Sequence, residues 1–173
     1  MKGDMAKFKK KFNHPSFCLV IPMYNEEKNV NDCVKSICKF LSKLENRCEL
    51  LVVDDGSNDN TLKKLIKLRE IHNNLNIKVH KLNMGYGVAN RTGSSYALSA
   101  DYKYVLYMDS DLTQDPKYIH DFLCFMNKDI DLIKATRYSP GGGTDGVEFQ
   151  RKIISLGGNF LAKIFMKLPI TDY

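Results

Sequence analysis

No two of the five cysteines, Cys18, Cys33, Cys38, Cys48 and Cys124, form a Cys-x-x-Cys pair, and the four histidines are scattered. That excludes a zinc-ligand pattern and a disulfide framework, and a reducing cytosol fits the thiols best. No stretch approaches the roughly 18 continuous apolar residues that a membrane span needs. The short apolar run Phe17–Ile21 leads through Pro22 into Asn25-Glu26-Glu27 rather than a small-residue cleavage site, so it does not read as a signal peptide. Basic residues are not interleaved with aromatics into a stacking platform, so nucleic acid is not an expected partner.

What is present is the composition of an ordinary globular protein: 173 residues, 43% apolar and 27% charged, enough for one domain with a sizeable core. The formal charge is +6, but Lys2, Lys7, Lys9, Lys10 and Lys11 against Asp4 leave +4 in the first eleven residues and only +2 in the rest. The basicity is therefore a tail, residues 1–15, ahead of a domain expected over 16–173. Such a tail is either a solvated end or a contact for an anionic membrane surface.

The stretch Lys103–Pro116, KYVLYMDSDLTQDP, organises the remainder. Its apolar half reads as a buried strand ending at Met108, and Asp109 and Asp111 stand where the strand runs out. In extended backbone residues two apart face the same side, so both carboxylates can address one hard cation, Mg²⁺ or Mn²⁺, that shares its other positions with phosphate oxygens and water. An isolated Asp-x-Asp is common in turns, and its weight here comes from the clusters around it.

Phe17–Ile21 is continuously apolar, as a strand covered on both faces must be, and Pro22 is expected to end it. Val30, Cys33, Val34, Ile37, Leu41 and Leu44 recur at helical spacing and predict a helix over about Glu26–Leu44. Leu50–Val53 reads as a second buried strand. The polar run Asp54–Thr61 after it can cap a helix to about Ile71. Ile77–His80 alternates and is placed at a sheet edge, and a helix to about Ala100 follows Gly85 and Gly87. Asp115 and Pro116 supply an N-cap and first-turn proline for a helix marked by Ile119, Phe122, Leu123 and Met126, and Leu132–Ala135 is expected as a fifth strand. This alternation predicts an α/β fold with a mostly parallel sheet flanked by helices, whose ligands bind beyond the carboxyl ends of the strands. Tyr24-Asn25-Glu26, Asp54-Asp55 and Asp109/Asp111 all fall at such ends. Further on, Arg151, Ser155 and Asn159 are four apart on one face of a predicted helix whose apolar side includes Ile153, Leu161 and Leu168, a spacing suited to clamping a phosphate. The Asn83–Gly93 segment is not a dinucleotide fingerprint, because Asn90 stands where the third glycine would be. It reads as a tight turn onto a helix.

In order, Ile21–Glu27 (IPMYNEE), Val53–Ser57 (VDDGS), Asn83–Gly87 (NMGYG) and Asp109–Leu112 (DSDL) resemble the GT-A glycosyltransferases of inverting family 2. Arg137-Tyr138, Gly141-Gly142, Arg151-Lys152-x-x-Ser155 and Asn159 narrow the resemblance to dolichol-phosphate mannose synthases and bacterial polyprenyl-phosphate relatives. The resemblance implies that Pro22, Tyr24 and Glu26 line a nucleoside pocket, that Asp55 accepts a hydrogen bond from the base, and that Asp109 and Asp111 hold the metal on the donor diphosphate. It assigns the acceptor phosphate to Arg137, Arg151 and Ser155, with Arg137 also catalytic. It further implies GDP-mannose or UDP-glucose as donor, a polyprenyl or dolichyl phosphate as acceptor, and work at the cytoplasmic face of a membrane through peripheral contact. Relatives place a metal-assisting glutamine two residues after the second Asp; here that place is Thr113, with Gln114 next. Relatives also continue beyond the position of Tyr173, so the chain is expected to be C-terminally short. The alternatives are a family 2 transferase with a saccharide or protein acceptor, and a nucleotide-sugar-binding domain without turnover.

Overall fold

The structure is a computed structural model that describes residues 15–113, 115–126 and 130–135. The chain divides into two units, Met1–Ile130 and Asp131–Tyr173. All helices and strands described below belong to the first.

Four strands, β1 (Phe17–Met23), β2 (Cys48–Asp54), β3 (Leu75–Val79) and β4 (Tyr104–Tyr107), alternate with α1 (Val30–Leu41), α2 (Thr61–Ile71) and α3 (Tyr86–Ser99). A 3₁₀ turn, Pro116–Tyr118, and the short α4, Ile119–Leu123, follow. The strands form one parallel sheet in the order β3-β2-β1-β4. Because side chains alternate across a strand, Leu19, Ile21, Leu50 and Val52 face the cluster built with α1 and α2, while Cys18, Val20, Leu51 and Val53 face α3 through Ala89 and Ala97. Both sheet faces are covered, which is why β1 and β2 needed unbroken apolar runs. Each fully buried Leu, Ile or Val adds about 1.5–3 kcal/mol over its exposed state. On the α3 side the fit is close: a Cβ on Gly93 would lie 2.3 Å from Val20 Cγ1.

Several boundaries differ from expectation. Pro22 does not end β1, which runs on to Met23. The pairing of β1 with β4 stops at Val20 opposite Tyr107, so on the side facing β4 no ladder bond remains for the missing proline N–H to break. Helix α1 starts at Val30 rather than Glu26, because residues 26–29 form a loop tied to the loop after β2. It ends at Leu41, where Lys43 and Leu44 switch to tighter i−3 bonds with Phe40 and Leu41. The edge placement of β3 holds. Asp115 caps as expected by accepting the Lys117 amide at 2.9 Å, although the first turn is 3₁₀. The expected strand Leu132–Ala135 is absent: these residues carry no strand, and no described residue pairs with them in a ladder. Among the described residues no helix is long and apolar enough to cross a membrane.

Candidate donor-binding site

Register fixes where the site lies. Met23 pairs with Asp54 and Asp54 with Val79, so β1, β2 and β3 end level with one another, and their following loops emerge at one rim. The loops after β1 and β2 are stitched together. The Asn25 amide donates to Ser57 Oγ at 3.0 Å, and the Asn58 amide returns a bond to Asn25 Oδ1 at 2.8 Å. The Glu27 amide donates to Asp59 Oδ2, the Asn60 amide donates to Glu27 Oε2, and Lys64 Nζ donates to the Glu27 carbonyl at 2.7 Å. Asn25 sits at φ 55°, a left-handed conformation that asparagine tolerates better than most residues. The Asn60 donors hold the Glu27 carboxyl below its ordinary range. Glu27, Ser57, Asp59 and Asn60 are therefore fasteners. Tyr24, 41% exposed, and the half-buried Pro22 and Glu26 stand beside them, with Glu26 accepting from Asn29 Nδ2 at 2.7 Å.

The two adjacent aspartates at the end of β2 point to opposite sheet faces and behave differently. Asp55 is 3% exposed; its Oδ1 accepts the Met84 amide at 3.0 Å and meets His80 Nδ1 at 2.6 Å, and its Oδ2 accepts the Gly85 amide at 2.8 Å. Burial alone would raise this carboxyl, but the His80, Met84 and Gly85 donors outweigh it and hold the group below the usual carboxylate range. Asp54, 1% exposed, has neither oxygen at hydrogen-bonding geometry. Burial raises its carboxyl, and the opposing pull of nearby Ser57 is too weak to reverse the shift.

The loop that Asp55 holds crosses directly over Gly56, whose φ is 73° and whose added Cβ would lie 2.4 Å from the Leu82 carbonyl carbon. Glycine is required there for both conformation and space. The same loop starts α3, and Tyr86, the first residue of that helix, reaches across to β4 and donates its hydroxyl to Asp109 Oδ1 at 3.4 Å. Asp109 and Asp111 are exposed on either side of the buried Ser110. β4 ends at Tyr107 rather than at the expected Met108, and Ser110 and Asp111 lie in a turn, so their shared exposure comes from that turn and not from strand alternation. Leu112, at φ 56°, turns the chain sharply after the pair, a strained conformation of the kind that gathers at functional sites. Thr113 donates both its amide, at 3.0 Å, and its hydroxyl, at 2.9 Å, to Asp111 Oδ1. The hydrogen bonds thus fall on Oδ1 of each aspartate. Among the described residues no group of three acidic, histidine or cysteine side chains is gathered to hold a metal unaided. The donor set, two exposed carboxylates with hard oxygens, fits a divalent ion of the Mg²⁺ or Mn²⁺ kind that takes its remaining oxygens from a diphosphate and water.

Strand register therefore brings Pro22, Tyr24, Glu26 and Asp55 to one rim, and Tyr86 links that rim to Asp109, with Asp111 two residues further on. The expected acceptor residues Arg137, Arg151 and Ser155, with Gln114 and the basic tail to residue 14, lie outside the described residues. Sequence reasoning missed His80 and Thr92, as well as the bridging role of Tyr86. The only signal for His80 was its place at the carboxyl end of a strand.

Residues 18–173 match the glycosyl transferase family 2. A dodecaprenyl-phosphate galacturonate synthase of Rhizobium johnstonii is 31% identical over 90% of this chain and 44% of its own. An undecaprenyl-phosphate 4-deoxy-4-formamido-L-arabinose transferase of Proteus mirabilis is 32% identical over 69% of this chain and 36% of its own. An uncharacterized glycosyltransferase of Synechocystis is 33% identical over 78% of this chain and 42% of its own, so the chain spans less than half the length of all three. Among solved structures, S. aureus TarS 1-349 in complex with UDP-GlcNAc superposes with a TM-score of 0.50 at 28% identity, covering 65% of this chain and 31% of that one.

Proposed function

This chain belongs to glycosyl transferase family 2 and has the GT-A fold; on that premise we propose that it moves a hexose, mannose or glucose, from a nucleoside-diphosphate sugar to a polyprenyl phosphate with inversion at the anomeric carbon. The observation that carries this reading is the Tyr86–Asp109 bond, which ties the loop held by Asp55 to the carboxylate pair on one rim. The acceptor class rests on the two polyprenyl-phosphate relatives. Pro22, Tyr24 and Glu26 are assigned to the nucleoside. Asp55, expected to accept a bond from the base, is 3% exposed with both oxygens already engaged by His80, Met84 and Gly85, and is assigned instead to holding the loop beside that pocket.

In the reaction an acceptor phosphate oxygen attacks the anomeric carbon while the bond from that carbon to the diphosphate oxygen breaks on the opposite face. The new bond is a glycosyl phosphoester, and the nucleoside diphosphate leaves with the electron pair. A phosphate acceptor, with a second pKa of about 6, is already largely ionised at neutral pH and needs no base. That matters because His80, the histidine at the rim among the described residues, has both ring nitrogens engaged. A divalent ion held by Asp109 and Asp111 would supply neutralisation of the charge that builds on the leaving diphosphate. Arg137, Arg151 and Ser155 are assigned to the acceptor phosphate, replacing proton abstraction by positioning. The site would work at the cytoplasmic face of a membrane through peripheral contact, where it could reach a lipid-borne phosphate.

The test is incubation of the chain with labelled GDP-mannose or UDP-glucose, Mg²⁺ or Mn²⁺, and a short polyprenyl phosphate. Labelled lipid is expected with one donor. Nucleotide binding without labelled lipid from either donor would instead select a binding domain without turnover.

A further inference from the structure

We infer that His80 is a positioning residue for the donor site, clamping the loop Lys81–Tyr86 in place; its consequence for nucleotide binding rests on the function proposed above. His80 directly follows β3, and its amide extends the ladder by one bond, to the Asp54 carbonyl at 2.9 Å. Its side chain is only 11% exposed. Nδ1 lies 2.6 Å from Asp55 Oδ1, and Nε2 lies 2.8 Å from Thr92 Oγ1 on α3. An ionised carboxylate only accepts, so Nδ1 must carry a proton. Thr92 then donates to Nε2 of the neutral ring, or accepts from it if the ring is protonated. In both states both nitrogens are occupied, so the imidazole has no lone pair free for a metal or for the acceptor's proton.

What remains is mechanical. One ring joins the end of β2, through Asp55, to the second turn of α3, through Thr92. The rest of the Asp55 carboxylate holds the amides of Met84 and Gly85. The loop is thereby gripped between His80–Asp55 on one side and the bare Cα of Gly56 on the other, where Leu82 passes too close for any side chain. Tyr86, on which the link to Asp109 depends, is the next residue after the gripped Gly85. Without the imidazole, Asp55 loses its closest donor and the Thr92 hydroxyl loses its partner, and the loop that carries Tyr86 is held by two amide bonds alone.

The experiment compares the full chain with His80→Ala, His80→Asn, whose amide nitrogen can stand in for Nδ1, and Thr92→Val. Hydrogen exchange is followed at residues 81–86 and, as an internal control, across β2, and GDP and UDP binding with Mg²⁺ is measured by calorimetry. His80→Ala should exchange about 10-fold faster at residues 81–86 with β2 unchanged, as local opening predicts. Its nucleotide affinity should fall by about 5- to 10-fold, an amount typical of losing one well-made buried bond. His80→Asn should recover most of both losses. Thr92→Val keeps the bond to Asp55 and should show the same pattern at about 2- to 3-fold, so the inference remains decidable if His80→Ala fails to fold. Unchanged exchange at residues 81–86, equal acceleration throughout the sheet, or faster loop exchange with nucleotide affinity unmoved would each overturn it. A wild-type chain that binds neither GDP nor UDP overturns the donor reading, and the exchange pattern then decides the clamp by itself.

Discussion

The Asp55 carboxylate accepts the Gly85 amide at 2.8 Å across a sequence separation of 30 residues, and so anchors the start of α3 to the end of β2. Asp55→Asn keeps the shape but turns one oxygen into an NH₂ group facing a donor. We expect a loss of about 1–3 kcal/mol in urea unfolding at pH 7, the cost of leaving buried polar groups mispaired. The sign of the pH dependence follows from the lowered carboxyl. A depressed folded-state pKa stabilises at pH values above the unfolded pKa, about 4, and that stabilisation is lost as pH falls through the folded value. The wild-type advantage over Asp55→Asn should hold from pH 7 to about 5 and shrink below about 4. An advantage that grew on acidification would mean that the carboxylate is not held by these donors.

The parallel sheet was legible in the sequence because burial on both faces writes unbroken apolar runs into β1 and β2, and that pattern survives without knowledge of partners. The spacing of Asp109 and Asp111 is equally local, but such a pair is common in turns, and what singled it out was the company of the other polar clusters at strand ends. His80 and Thr92 were not, because their role exists only once β3 and α3 meet Asp55, and nothing within either segment marks it. Helix α1 was overextended for the same reason. Glu26 and Glu27 fit a helical first turn by composition, and the Val30 amide does reach the Glu26 carbonyl at 2.9 Å. But Glu27 is also bonded to residues 59 and 60 of a different loop, and the turn stays separate from the helix that starts at Val30.

Gly93 tests how tightly α3 lies on the sheet. A methyl group there would sit 2.3 Å from one Val20 methyl carbon and 2.9 Å from the other. Gly93 is helical, so alanine gains about 1 kcal/mol of helix propensity, but overpacking at such a fit costs about 1–3 kcal/mol. Gly93→Ala should therefore be net destabilising in thermal unfolding, and the double variant Gly93→Ala with Val20→Ala should recover part of the loss. Stabilisation by Gly93→Ala alone would show that the helix and strand can separate freely.

The cysteines make a prediction about chemistry rather than stability. Burial pushes the thiols of Cys18, Cys33 and Cys38 up to about 12, with the nearby charges of Glu26 and Asp111 contributing at Cys33, and pushes Cys48 up to about 11. Cys124 is exposed. Since the thiolate is the reactive form, a thiol reagent at pH 8 should modify one cysteine quickly in the native chain and all five after denaturation. Peptide mapping should place the fast label on Cys124. Rapid labelling of Cys33 would contradict its burial in the core beneath α1.

The last prediction uses magnitude to separate the groups that would hold the metal from the group that only steadies one of them. Removing a carboxylate aimed at the ion and its diphosphate should cost on the order of 100-fold in turnover, comparable to losing a preorganised electrostatic contact. Tyr86 donates to Asp109 at 3.4 Å from an exposed position, so its bond is long and solvent-screened. Such a bond contributes about 0.5 kcal/mol or less, and Tyr86→Phe should lower metal-dependent donor binding by under about 3-fold. The expected order is therefore Asp109→Asn and Asp111→Asn far below Tyr86→Phe, with chelator abolishing activity in the wild type and added Mg²⁺ or Mn²⁺ restoring it. If both aspartate variants kept wild-type turnover with the labelled donor, the carboxylate pair would be a capped turn, and the donor site would have to be sought elsewhere in the chain.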